Sequence, residues 1–255
     1  MIKQKILPIL ASFAPILSVV AAEPLLKEDF QSYSAGEALP AVVGNAPGNW
    51  YFQPLKGGGG AAMIEKADSG ESFLAVREGT SESSLGSWLL YRLLEQPPKS
   101  GEPFSLEVRF RMKADSAPSD WIFGPIDLEF PKIPGNTNFL SIFRVRNNPT
   151  SGQLEFRYWR PDLKAGEGGY TATPVILDSG VWYRLKAALQ PAESTMSLRL
   201  SQPDGTPVFE ESGISLKSPV GEIGGVAFKN RVSDLNTAEF DLAEVILKVG
   251  NAISE

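Results

Sequence analysis

The sequence predicts an all-β protein, an antiparallel sandwich or barrel, and three observations carry that prediction. Apolar and polar residues alternate with a period of two in several runs, the pattern of strands with one face buried. Proline and glycine, 20 and 24 in number, are spread along the chain and cut it into short segments. Beyond the N-terminal segment no stretch repeats its apolar positions at three and four for long enough to make an amphipathic helix.

The chain opens on Met1–Ala22, which reads as a cleavable secretory signal. Lys3 and Lys5 supply the charged start, Ile6 to Val20 the apolar stretch, and Val20-Ala21-Ala22 a small-residue cleavage site before Glu23. Pro8 and Pro15 interrupt the stretch, which falls short of the roughly 18 apolar residues of a membrane span. No cysteine is present to carry a lipid. Cleavage leaves Glu23–Glu255, or 255 − 22 = 233 residues, read as one β-domain able to bury a core without disulfides. Export without cysteine points to a bacterial periplasm or the cell exterior, and the tail Gly250–Glu255 carries no sorting signal or anchor. Cleavage also takes the net charge from −6 to (24 − 2) − 30 = −8, which argues against nucleic acid or an anionic membrane as a partner.

The elements follow in order. Gly57–Gly60 reads as a flexible loop. Phe104, Leu106, Val108, Phe110 and Met112 share one strand face, and Ser105, Glu107, Arg109, Arg111 and Lys113 the other. Phe139–Arg146 and Gln153–Arg160 read as a hairpin joined by 147–152. Pairing Val145 with Leu154 and Phe143 with Phe156 aligns its apolar residues and sets Arg144 opposite Glu155. Tyr183, Leu185, Ala187 and Leu189 alternate in the same way, as do Met196, Leu198 and Leu200 before a turn at Pro203-Asp204-Gly205.

The polar face of the hairpin collects Arg144, Arg146, Arg157 and Trp159, with Gln153 and Glu155 among them. These four are the candidate ligand-binding residues. An indole packs on a pyranose face while arginine forks onto a carboxylate or sulfate, so the partner they suit is an anionic glycan. A solvated sheet face, its arginines paired by Glu107, Asp127 or Glu129 of neighbouring strands, accounts for the same residues.

Two ends of the chain and its middle carry a family pattern. Near the start stands Glu28-Asp29-Phe30-Gln31-Ser32-Tyr33, then Gly36, Leu39-Pro40 and Trp50; near the finish stands Glu239-Phe240-Asp241-Leu242-Ala243-Glu244-Val245. Together with Gly180-Val181-Trp182-Tyr183-Arg184-Leu185, these resemble the concanavalin A-like (laminin-G-like) jelly roll of exported bacterial proteins. The resemblance implies a two-sheet antiparallel jelly-roll sandwich, with the opening and closing strands side by side and the Trp-Tyr strand crossing the middle. It also implies a structural calcium held by one acid from each terminal strand, here Asp29 and Asp241, with Glu28 a lesser candidate. Solvated strand-end acids are the alternative. The fold does not choose an activity, because jelly rolls host lectins, lyases, hydrolases and spacers alike.

Histidine and cysteine are absent, which excludes a Ser-His dyad, a histidine metal cluster and a cysteine nucleophile. Pro125-Ile126-Asp127-Leu128-Glu129-Phe130 is similar to the Glu-Ile-Asp-x-Glu strand of laminarinase-type glycoside hydrolases. Asp127 and Glu129 match the assistant and the acid/base, but Pro125 stands where the nucleophile belongs. Lys164-Ala165-Gly166-Glu167-Gly168-Gly169-Tyr170 resembles the Lys-Ala-Gly-x-Tyr element of jelly-roll alginate lyases, with two extra residues before the tyrosine and no histidine to help it. Tyr170 or Tyr158 would then serve alone, the arginines neutralising the uronate. No catalytic residue is assigned. The reading adopted is an exported, non-catalytic carbohydrate-binding or envelope-associated jelly-roll protein for an anionic polysaccharide. Its alternatives are a lyase or hydrolase with an atypical site, and a structural domain without a glycan.

Overall fold

The computed structural model describes residues 23–40, 44–55, 61–77, 87–113, 119–128, 138–148, 150–160, 169–171, 173–217, 222–230 and 239–250. The signal segment 1–22 and the glycine tract 57–60 lie outside them. The described residues form β1 (Leu26–Glu28), β2 (Trp50–Leu55), β3 (Ala61–Lys66), β4 (Ser72–Arg77), β5 (Ser87–Leu93), β6 (Phe104–Lys113), β7 (Ser119–Asp127) and β8 (Phe143–Asn148). They continue with β9 (Gln153–Tyr158), β10 (Val175–Leu177), β11 (Trp182–Gln190), β12 (Thr195–Ser201), β13 (Pro207–Ser215), β14 (Ile223–Asn230) and β15 (Glu239–Val249).

Two antiparallel sheets result. One runs β13-β12-β11-β6-β15-β4-β3, with β1 also paired to β15; the other runs β10-β9-β8-β7-β14-β5-β2. The opening and closing strands lie side by side, Leu26 opposite Leu247 and Glu28 opposite Val245. β15 is long enough to hold β4 at Phe240–Leu242 and β1 further along the same edge. This is the concanavalin A-like jelly-roll sandwich expected from the sequence, with the Trp-Tyr strand β11 inside the first sheet.

The alternating runs account for that sheet. On β6 the five apolar side chains point inward and are at most 2% exposed, and their partners on β11, Tyr183, Leu185, Ala187 and Leu189, do the same. Aromatic rings join the sheets across the core: Trp121 on β7 stacks on Phe240 of β15 at 4.5 Å, and Phe110 of β6 lies 5.5 Å from Phe123 of β7.

The first sheet's outer face is charged. Arg184 and Lys186 share Glu107, Arg109 pairs with Glu71, and Trp182 lies under the guanidiniums of Arg109 and Arg111 at 5.1 and 4.6 Å. The second sheet does not alternate so cleanly, because part of its outer face is also buried. Tyr51, Leu89, Tyr91, Leu93, Ile122, Ile126, Phe139 and Ile142 belong to a second apolar cluster there. The segment entering β8 passes close over β7 at Gly124, where a Cβ would stand 2.3 Å from the Ser141 carbonyl oxygen. Glycine permits that approach, and Leu140 N then donates to Pro125 O at 2.9 Å.

Candidate functional site

The predicted hairpin is β8 and β9, but its register differs from the one read in the sequence. Arg144 lies opposite Arg157, not Glu155; Val145 faces Phe156, Phe143 faces Tyr158, and Arg146 faces Glu155. The slip follows from the turn. Pairing continues to Asn148 with Gln153, so four residues, 149–152, join the strands, and Gly152 N closes the turn on Asn148 O at 2.7 Å. A shift of two residues keeps every side chain on its face. Phe143, Val145, Leu154 and Phe156 are in the core, and Arg144, Arg146 and Arg157 gather on the outer side.

Two arginines directly opposed would repel, and each turns to a carboxylate instead. Arg144 makes a two-pronged bond to Asp120 of β7, Nε to Oδ1 at 2.5 Å and Nη2 to Oδ2 at 2.6 Å. Arg157 donates to Glu155 from Nε and Nη2 at 3.2 and 3.1 Å, and to the Thr171 carbonyl at 2.7 Å. Asn148 Nδ2 donates to the other oxygen of Glu155 at 2.8 Å. All four charged groups are buried, Arg144 and Arg157 at 8% and 7% exposure. Such two-pronged, charge-assisted bonds fix the guanidinium planes.

The aromatic part continues this cluster. The Arg144 guanidinium lies 4.9 Å over the ring of Tyr170, which meets Trp159 edge-on at 5.4 Å and 78°. Trp159 is half-buried: the Gly169 backbone lies against its benzo ring, where a Cβ would come within 2.5 Å of Cζ2, and Lys217 Nζ stands 5.9 Å from its centroid. Burial lowers the Lys217 pKa below the usual lysine range, with Asp127 opposing the shift. Trp159 Nε1 and Thr171 Oγ1 are buried donors without a hydrogen-bond partner among the described residues. Asp120, Tyr170 and Lys217 are the members of this cluster that sequence reasoning missed as partners. Asp120 was findable: it precedes Trp121 and Phe123, which face inward, and so shares the outer face with Ile122.

The candidate catalytic groups are placed differently. Asp127 ends β7 with Oδ1 accepting Asn138 Nδ2 at 3.1 Å, whereas Glu129 and 164–168 lie outside the described residues. Tyr170 is buried beneath Arg144. Tyr158 faces the core and donates to Glu211; burial, then that carboxylate, raises its pKa well above the ordinary tyrosine range.

At the terminal strands, Asp241 is 1% exposed and its two oxygens are taken by Arg77 Nη1 at 2.7 Å and Arg111 Nε at 2.8 Å. Asp29 is half-buried and accepts the Gln31 backbone N–H at 3.1 Å. Glu28 is an inter-sheet clamp, Oε2 accepting Arg92 Nη1 at 2.6 Å and Trp50 Nε1 at 3.1 Å from the opposite sheet. Calcium needs six to eight oxygens, and an ion beside Asp241 would face two guanidiniums. No group of three or more metal-ligating side chains comes together among the described residues. Asp241, one half of the expected calcium pair with Asp29, is thus engaged by two arginines in this structure. Melting curves in calcium and in chelator are expected to superimpose. Asp241→Ala should lower stability by about 2–3 kcal/mol in both, since its arginine partners are partly solvated and soften the loss of a buried carboxylate. A calcium-dependent shift of the native curve that vanishes in Asp241→Ala would overturn this assignment.

No protein-family model matches the sequence, and no curated protein matches it either. Solved structures do match. A protein of unknown function from Shewanella oneidensis MR-1 superposes with a TM-score of 0.55 at 14% identity over 90% of this chain and 87% of its own. The CBM2 module of the evolved Dit protein of Lactobacillus casei BL23 phage J-1 superposes at 0.52 and 12% identity, over 92% and 99%. A sialidase superposes at 0.50 and 15% identity over 79% of this chain, which spans 17% of the sialidase. At these identities the shared property is the fold. Among the described residues no helix is long and apolar enough to cross a membrane.

Proposed function

We propose that this protein is an exported, non-catalytic carbohydrate-binding jelly roll that takes an anionic polysaccharide on the outer face of the seven-stranded sheet. The observation that carries the reading is the cluster on β8 and β9. Arg144, Arg146, Arg157 and Lys217 stand with Trp159 and Tyr170 on a chain whose net charge is −6. Arg144 and Arg157 are locked by Asp120 and Glu155 and form the rigid base, while Arg146, Lys217 and Trp159 are half-buried and form the rim. A rigid base is what a binding site needs, because ordering flexible side chains at the moment of binding costs affinity. Export rests on the Met1–Ala22 pattern and implies the periplasm or the cell exterior. The fold shared with a CBM2 module and a sialidase supports a glycan ligand, and the arginines support an anionic one.

A glycan array of uronate and sulfated polymers, probed with the chain lacking residues 1–22, tests the reading. Binding without product is expected. Trp159→Ala should weaken it at any salt concentration, and Arg146→Ala mainly at low salt, since charges at a rim are screened over about 8–10 Å. Silence on every glycan would leave a structural domain, and release of an unsaturated uronate would make the protein a lyase.

A further inference from the structure

A pocket lies on the outer face of the eight-stranded sheet, away from the arginine–tryptophan cluster. It encloses about 370 Å³ and is walled by β11, β12 and the turn that follows β12. Arg184 lies opposite Ser201 and Lys186 opposite Arg199. The four outward side chains thus make a two-by-two square of three cations and one hydroxyl, with facing Cβ atoms about 4.5–5.5 Å apart.

Lys186 directly opposite Arg199 sets two like charges side by side. The nearby carboxylates do not fill the pocket. Arg184 pairs with Glu107 and Glu244, and Arg199 with Glu210, all three reaching in from other strands and none lining the cavity. Among the described residues, Lys186 pairs with Glu107 alone, at 3.7 Å, and Arg184 already bonds that carboxylate. Asp204 lines the pocket, but its carboxylate accepts the Thr206 N–H at 2.9 Å and so closes its own turn. The turn is a firm wall, with Gly205 N bonded to Gln202 O at 3.0 Å and Gln202 N to Thr206 O at 2.9 Å.

We propose that this pocket binds a tetrahedral oxyanion, either a sulfate ester on a glycan or free inorganic sulfate. Two guanidiniums and an ammonium line it, and the Gln202 side-chain amide supplies a neutral donor beside the Ser201 hydroxyl, which also reaches the Arg184 carbonyl at 3.5 Å. A tetrahedral oxyanion spreads its charge over three or four oxygens in three dimensions, which suits cations that stand on two neighbouring strands rather than in one plane. The assignment is independent of the glycan face on the other sheet.

The test measures binding of dextran sulfate, neutral dextran and sodium sulfate to the chain lacking residues 1–22, by calorimetry at one fixed ionic strength. Dextran sulfate should bind and dextran should not. Lys186→Ala and Arg199→Ala should each weaken binding by about tenfold, the scale of one charge-assisted hydrogen bond. Either variant should move the melting temperature little, because each removes a like-charge opposition together with one partly exposed ion pair. Binding of sodium sulfate but not of the polymer, lost in the same two variants, would assign the pocket to the free anion. No binding of either, or binding lost in Trp159→Ala and intact in Lys186→Ala, would overturn the proposal; the second result would still leave the glycan face standing.

Discussion

Phe156→Ala is expected to lower the unfolding free energy by about 3–5 kcal/mol, the cost of truncating a buried aromatic ring. For a chain of this length that is roughly 6–20 °C in melting temperature. The ring has no solvent exposure and sits mid-strand on β9, 6.5 Å from Phe143 and 6.3 Å from Tyr158. Val145 of β8 faces it, and Val175 of β10 lies opposite on the other side, so neither neighbour strand can close over the void without breaking its ladder. Phe156→Leu, which keeps most of the volume, should cost far less. Urea unfolding of both variants checks the argument. A loss below about 1 kcal/mol for the alanine variant would mean that β9 presents its other face to the core.

That face was legible before the structure, because a period of two assigns sides without knowing partners. The same logic placed the inward residues of β6, β11 and β12, where a charged outer face keeps the alternation clean. It could not mark β5 as a strand, because Leu89, Leu90 and Tyr91 are all buried, one side in the main core and the other in the second cluster, and no alternation shows. Register was less legible than facing. Two slips of the β8–β9 hairpin align its apolar residues equally well, and the turn chooses between them. Charge partners were least legible of all. Asp241 meets Arg77 and Arg111 from 164 and 130 residues away, so a family pattern around the aspartate suggested a cation and could not show that two arginines already occupy it. The arginine face repeats this. Its residues were readable from one hairpin, but Asp120, which holds Arg144, arrives on β7, and Tyr170 arrives from beyond β9.

Arg157→Ala is expected to cost about 3–5 kcal/mol, as breaking a buried ion pair does when one charge is left behind. On a solvent-exposed sheet face, this arginine would be a ligand contact whose loss costs little stability. Burial reverses that expectation. The Arg157 and Glu155 side chains are 8% and 5% exposed, and removing the guanidinium takes from buried Glu155 the cation that balances its Oε2, while the Asn148 amide stays on Oε1. The Thr171 carbonyl also loses its donor. Removing both charges should recover much of the loss, because Glu155→Gln with Arg157→Met leaves no uncompensated carboxylate. Thermal unfolding of the two single variants and the double variant measures that coupling. Equal additive losses would show that the pair is solvated and that the face is open. The expected coupling has a consequence for ligand binding. A glycan signal lost in Arg157→Ala reports a disturbed base as much as a missing contact, whereas Arg146→Ala and Trp159→Ala alter half-buried rim groups and keep both members of the Asp120–Arg144 and Glu155–Arg157 pairs. If those two rim variants fold like the native chain and bind like it too, the cluster is scaffold, and its arginines serve to join β7, β8 and β9.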